Sequence, residues 1–208
     1  MFLVGATPAR AHRLDEYLQA TTISVGKDRV SAQIRLTPGV AVFPTVLSAI
    51  DANADGVISA AEERLYAHRV LRDLSLGVDG DRLTLRLVAS KFASIAEMKE
   101  GRGDIVIDFD AAVSDGSSDR QLSFENRHLR AISVYLVNAL VSRDRDIRIT
   151  HQNRNYEQSS YQMDYAQASI SVESQSVTIF PAWLATAALL LMAPLALLLR
   201  RPRRRASV

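Results

Sequence analysis

The stretch DRVSAQIRL, Asp28 to Leu36, sets the reading of the fold. Val30, Ala32, Ile34 and Leu36 alternate with polar neighbours, the period of two that marks a strand with one buried face. The alternation recurs in RLTLRLV (Leu83, Leu85, Leu87) and in DIVIDFD (Ile105, Ile107, Phe109). AISVYLVNAL and DIRIT read as strands through Ile132, Val134 and Leu136, then Ile147 and Ile149. Turn residues separate these runs at Gly26-Lys27-Asp28, Asp79-Gly80 and Ser114-Asp115-Gly116. About eight short strands in about 150 residues predict a mainly β chain built as an immunoglobulin-like β-sandwich. Tyr156, Tyr161 and Tyr165 follow in NRNYEQSSYQMDYAQ, and the expectation is tyrosine rings packed at a sheet edge with their hydroxyls outward.

The pattern breaks once. PTVLSAI, opened by Pro44 in a first helical turn, leads into DANADGVISAAE, Asp51 to Glu62. Ser59-Ala60-Ala61-Glu62 is a capping box that opens a second helix running to about Leu74, with Tyr66, Val70 and Leu74 on the face toward the sandwich. Helix, twelve-residue loop, helix is the arrangement of a calcium EF-hand, spanning 44–74. Asp51, Asn53 and Asp55 fall at places 1, 3 and 5, where hard oxygen ligands are needed. Gly56 stands at place 6, where the chain turns sharply. Val57 offers its carbonyl at place 7, Ser59 acts at place 9, and Glu62 at place 12 supplies two oxygens. Ile58, at place 8, is the apolar residue that fastens the loop. No second loop accompanies it: DFDAAVSDGSSD lacks both the glycine and the closing glutamate. Three carboxylates predict a modest affinity for Ca2+ of about 10⁻⁴–10⁻³ M and a structural site.

The ends indicate a membrane. Residues 177–199 read VTIFPAWLATAALLLMAPLALLL, 23 residues without a charge, enough for one transmembrane helix. Five arginines follow within 200–208. Removing them from the formal charge of +2 leaves about −3 for the rest, so the basic tail is a topology signal and nucleic acid is not an expected partner. The positive-inside rule puts that tail in the cytoplasm of a bacterial inner membrane, and the main domain in the periplasm. MFLVGATPARA, residues 1–11, ends in an A-x-A pattern and reads as the remnant of a signal peptide. The predicted organisation is therefore signal remnant (1–11), extracytoplasmic domain (12–167), stalk (168–176), membrane helix (177–199) and basic tail (200–208).

AHRLDEYLQA, LTPGVAVFPTVLSAID running into the loop, ENRH, SVYLVNALV and QNRNYEQSSY resemble a group of bacterial membrane-anchored EF-hand-containing proteins of unassigned function. A similar ectodomain precedes the multi-span part of some proteins related to the HupE/UreJ nickel-permease family. The resemblance covers roughly His12 to Ser169 and implies an exported domain that serves a metal-transport or other membrane-protein partner. One membrane helix is too few for a permease.

Two other classes compete with a calcium module. A free amine and imidazole at His12 could chelate copper or nickel, with His68, His128 or His151 completing a periplasmic transition-metal site; none of these has ligand spacing. An enzyme is not expected: G-x-S-x-G, H-E-x-x-H and phosphate-cradling glycine loops are missing from the sequence, as is cysteine, and Asp108, Asp110 and Glu125 read as solvated strand-end carboxylates. The leading expectation is a calcium-binding, membrane-anchored accessory module.

Overall fold

The computed structural model describes residues 15–142 and 144–168. The signal remnant, His12, the stalk from Ser169 on, the apolar run 177–199 and the basic tail lie outside them. Among the described residues no helix is long and apolar enough to cross a membrane.

The chain is mainly β. Its strands are β1 (Tyr17–Val25), β2 (Arg29–Pro38), β3 (Leu74–Val78), β4 (Asp81–Arg82), β5 (Arg86–Phe92), β6 (Ile105–Ala112), β7 (Asp119–Asn126), β8 (Ser133–Ala139), β9 (Ile147–Arg154) and β10 (Ser160–Gln167). Helices α1 (Phe43–Ile50) and α2 (Ala60–Asp73) fall between β2 and β3, and α3 (Ile95–Lys99) between β5 and β6. The strands form two five-stranded sheets, ordered β5-β6-β2-β1-β8 and β4-β3-β7-β10-β9. One hydrophobic core joins them. It takes Val30, Ile34 and Leu36 from β2, Ile105, Ile107 and Phe109 from β6, Leu76 from β3, Leu122 and Phe124 from β7, and Tyr161 and Met163 from β10.

The hairpin β1–β2 pairs Val25 with Val30 and Tyr17 with Pro38, so the alternation of β2 is matched residue for residue on β1. The inward face of β1 nevertheless carries Gln19 and Thr21, both buried. Gln19 is accommodated because its amide nitrogen donates to the His128 carbonyl at 2.9 Å and its oxygen accepts from Asn126 at 2.8 Å.

The expected facing of β8 is reversed. The sequence points to Ile132, Val134 and Leu136 as the buried set, but Tyr135 and Val137 are buried and Leu136 is exposed. Apolar residues occupy both parities of this strand, so alternation cannot choose. Parallel pairing with β1 chooses, setting Tyr135 beside Gln19 and Val137 beside Thr21 on the inward face. The Tyr135 hydroxyl donates to the His128 carbonyl, which lets a phenol occupy the interior.

The tyrosines near the C-terminal strands also depart from expectation. β10 runs between β7 and β9, not at an edge, and Tyr161 and Tyr165 are buried. Tyr161 donates to Gln152 at 2.8 Å and lies under the Arg154 guanidinium, 5.0 Å from its ring centre. Tyr156 alone is exposed, in the β9–β10 turn. Leu83 and Leu85 precede β5 rather than belong to it, although both pack against the core.

Helix α3 was not anticipated, although Ser94-Ile95-Ala96-Glu97 is a second capping box. Ser94 accepts from the Glu97 amide and the Glu97 carboxylate accepts from Ser94. The short helix seats Met98 in the core. Replacing Ser94 with alanine is expected to cost about 1 kcal/mol in denaturant unfolding, with the slope of the transition unchanged.

Candidate functional site

The loop Asp51–Glu62 is organised by its own side chains. Helix α1, with Pro44 in its first turn, ends as the Asp51 amide donates to the Leu47 carbonyl at 2.8 Å. The Asp51 carboxylate is buried and folds back over the loop, accepting from the Asp55 amide at 3.2 Å and the Gly56 amide at 2.9 Å. Asn53 accepts from the Asp55 amide at 3.0 Å, and Asp55 from the Val57 amide at 2.8 Å. Each oxygen of places 1, 3 and 5 thus bends the backbone a few residues ahead of it, and the three side chains share the inside of one curl.

Two residues of the curl have left-handed backbone, Ala54 at φ 56° and Gly56 at φ 80°. A Cβ added at Gly56 would meet nothing within 4 Å, so the requirement for glycine is one of backbone conformation alone. Gly56→Ala is expected to cost about 1–2 kcal/mol by the left-handed penalty, read as a lowered denaturation midpoint.

The exit is fixed from the other side. Ser59 caps α2, and Glu62 completes the reciprocal box. One Glu62 oxygen accepts from the Ala52 amide at 3.0 Å; the other accepts from the Ser59 amide at 2.9 Å and its hydroxyl at 2.8 Å. Place 12 is therefore tied to places 2 and 9, which closes the loop on itself. Hydrogen bonds from Ser59, backbone first and then hydroxyl, hold the Glu62 carboxyl below its ordinary range, with the Ala52 amide helping. Ile58 is half-buried and packs on the core, while the Val57 side chain is exposed and leaves its carbonyl as that residue's polar contribution.

Among the described residues no group of three His, Cys, Asp or Glu is drawn together as a metal cage. The carboxylates engage loop amides, and Asn53 also donates to Asp55 at 2.9 Å. The residues still fit a hard cation. The Asp51 and Asp55 oxygens and the Glu62 oxygen facing Ala52 each accept one hydrogen bond and keep a second lone pair, whereas the Glu62 oxygen facing Ser59 accepts two. The further donors (Asn53 oxygen, Val57 carbonyl, Ser59 hydroxyl) are the oxygen types calcium takes. Closing on an ion would require the Asn53–Asp55 contact to open.

The histidines are dispersed. His68 and His151 are exposed, and His128 is fully buried with both ring nitrogens engaged. Its Nδ1 lies 2.7 Å from Asp73 and its Nε2 3.0 Å from the Tyr66 hydroxyl, which in turn lies 2.9 Å from the Tyr17 hydroxyl. A carboxylate only accepts, so Nδ1 carries the proton and Nε2 accepts from Tyr66, which accepts from Tyr17. Burial pushes the His128 imidazole below its ordinary pKa, opposed by Asp73, and pushes both phenols up. This chain of four side chains was missed by reading the sequence. It joins α2 to β1 and to the turn after β7, and its members hold each other in place, with Asp73 at the solvent end.

The other carboxylates singled out in the sequence engage cations and amides. Asp110 accepts from Arg29 and Arg86, Asp108 from Gln33, and Glu125, on the other sheet, from Arg127. No protein-family model, no curated protein and no solved structure matches the chain.

Proposed function

We propose that this chain is a calcium-binding module tethered to a membrane, in which one EF-hand-type helix-loop-helix, Asp51 to Glu62 with its flanking α1 and α2, is inserted in an immunoglobulin-like β-sandwich. The observation that carries the reading is the curl itself: Asp51, Asn53 and Asp55 turn inward on consecutive amides, Gly56 supplies the left-handed corner, and Glu62 reaches back to the loop entry. Asp51, Asn53, Asp55 and Glu62 would hold the ion with the Val57 carbonyl and Ser59. A bound cation offsets the repulsion of three carboxylates and locks the start of α2, so its role is structural. The apolar run 177–199 serves as the single membrane helix, with the arginine tail cytoplasmic and the domain periplasmic. A domain so placed acts as an accessory to another membrane protein.

Hydrogen exchange on the full chain in detergent tests the reading. Calcium is expected to slow exchange of the amides of Ala52, Asp55, Gly56 and Val57 in the wild type but not in Glu62→Gln. Equal exchange with and without calcium in the wild type would remove the reading.

A further inference from the structure

We propose that the end of the domain bearing Leu140 and Val141 rests on the lipid surface, with these two side chains inserted at the headgroup boundary. The proposal rests on the reading of 177–199 as a membrane anchor. Val141 is 90% exposed and Leu140 52% exposed, two consecutive aliphatic side chains turned to solvent. They are not on a loosely attached tip. The Leu140 amide donates to the Ile23 carbonyl at 2.8 Å, and the Ser142 hydroxyl to the Val25 carbonyl at 2.9 Å, which fixes the pair beside the β1–β2 turn.

The chain leaves the described residues at this same end. The Ala168 amide donates to the Asp146 carbonyl at 2.8 Å and the Gln167 amide to the Ser118 carbonyl at 2.6 Å, while Lys27 of the β1–β2 turn pairs with Asp146. Only eight residues, 169–176, separate Ala168 from the start of the apolar run at Val177. Even fully extended they span about 30 Å, so the domain is held within about one strand length of the bilayer and is tethered through this end. The opposite end, with the β9–β10 turn and Tyr156, stands one eight-residue strand further, about 27 Å away. The calcium loop is entered from that opposite end of the sheet, after Pro38.

Lys27 and Asp146 pair beside the β1–β2 turn, and the Asp144 amide donates to the Ser142 hydroxyl next to Val141, so charges of both signs lie close to the aliphatic pair. The attraction is therefore apolar insertion framed by headgroup-level charges, not a basic patch seeking anionic lipid. A protein partner would cover the same pair without lipid contact, and the experiment separates the two.

The chain contains no cysteine, so single labels can be placed without background. Val141→Cys, Tyr156→Cys and Ala188→Cys, each carrying a bimane, are reconstituted as full chains in phosphatidylcholine vesicles with or without brominated acyl chains. All three sites are exposed or in the apolar run, so the domain core is untouched. The expected result is quenching at position 141 several-fold stronger than at 156 and approaching that at 188. Quenching at 141 no greater than at 156, with 188 strongly quenched, would overturn the inference while leaving the anchor standing. A blue-shifted but unquenched label at 141 would assign the pair to a protein contact and also overturn it. Absence of quenching at 188 would remove the anchor, and the inference with it.

Discussion

Replacing Asp51 with alanine is expected to act twice. Without calcium, the Asp55 and Gly56 amides lose their acceptor, and the C-cap of α1 loses the side chain that turns the chain into the loop. The cost is about 1–2 kcal/mol, moderated because water reaches the loop's outer face. With calcium the difference grows. An ion bound with an affinity of about 10⁻⁴–10⁻³ M would stabilise the wild type by about 1.4–2.7 kcal/mol at about 10 mM calcium. Asp51→Ala forfeits that increment, so the gap between the two proteins should widen by the same amount. Glu62→Gln removes the charge and one of the two acceptors, its single amide oxygen serving either Ala52 or Ser59, so its cost without calcium should fall below that of Asp51→Ala while the calcium increment is lost. Thermal unfolding with and without calcium measures all three. A gap that does not change with calcium would show that the carboxylates serve only to shape the backbone.

Replacing His128 with alanine is expected to be the most damaging single change in the domain. The imidazole is completely buried, and its removal takes the acceptor from the Tyr66 hydroxyl, which keeps only its bond with Tyr17, and opens a void between α2 and the sheets. Loss of packing and of paired polar groups together should cost about 3–5 kcal/mol. The same residue makes stability depend on pH. Its folded pKa lies below the unfolded value of about 6.5, so above that value both states are neutral and its contribution is complete. As pH falls below about 6.5 the unfolded chain takes up the proton first, and stability declines until the buried ring itself is protonated. Denaturant midpoints at pH 7.5 and 5.5 should therefore differ in the wild type and draw together in His128→Gln. Glu62 adds a second decline at lower pH: its depressed pKa gives stability that is complete above the ordinary glutamate range and lost as pH falls through the folded value.

What could be read from the sequence follows from how far each interaction reaches. The loop is legible because the side-chain hydrogen bonds that shape it lie within twelve residues, from Asp51 to the Glu62 box. β2 and β6 are legible because their inward positions are all apolar. β1 and β7 are not, since Gln19 and Thr21, and Arg120 and Asn126, face inward. Their partners are distant: Asn126 meets Gln19 across 107 residues, and Arg120 meets Asp79 across 41. The Tyr17–Tyr66–His128–Asp73 chain is assembled across separations of 49, 62 and 55 residues, and no local pattern announces it. β8 fails for a different reason, because apolar residues at both parities leave the facing to its parallel neighbour. Tyr161 and Tyr165 fail because an edge or central position follows from sheet order, which periodicity does not carry.

Calorimetric titration of the full chain with calcium chloride, in detergent micelles and beside the double variant Asp51→Ala/Glu62→Gln, tests the central claim most directly. Saturable binding near one equivalent in the wild type, with an affinity in the range of about 10⁻⁴–10⁻³ M and lost in the variant, is the predicted result. Heats that do not saturate, or that are the same in wild type and variant, would contradict it.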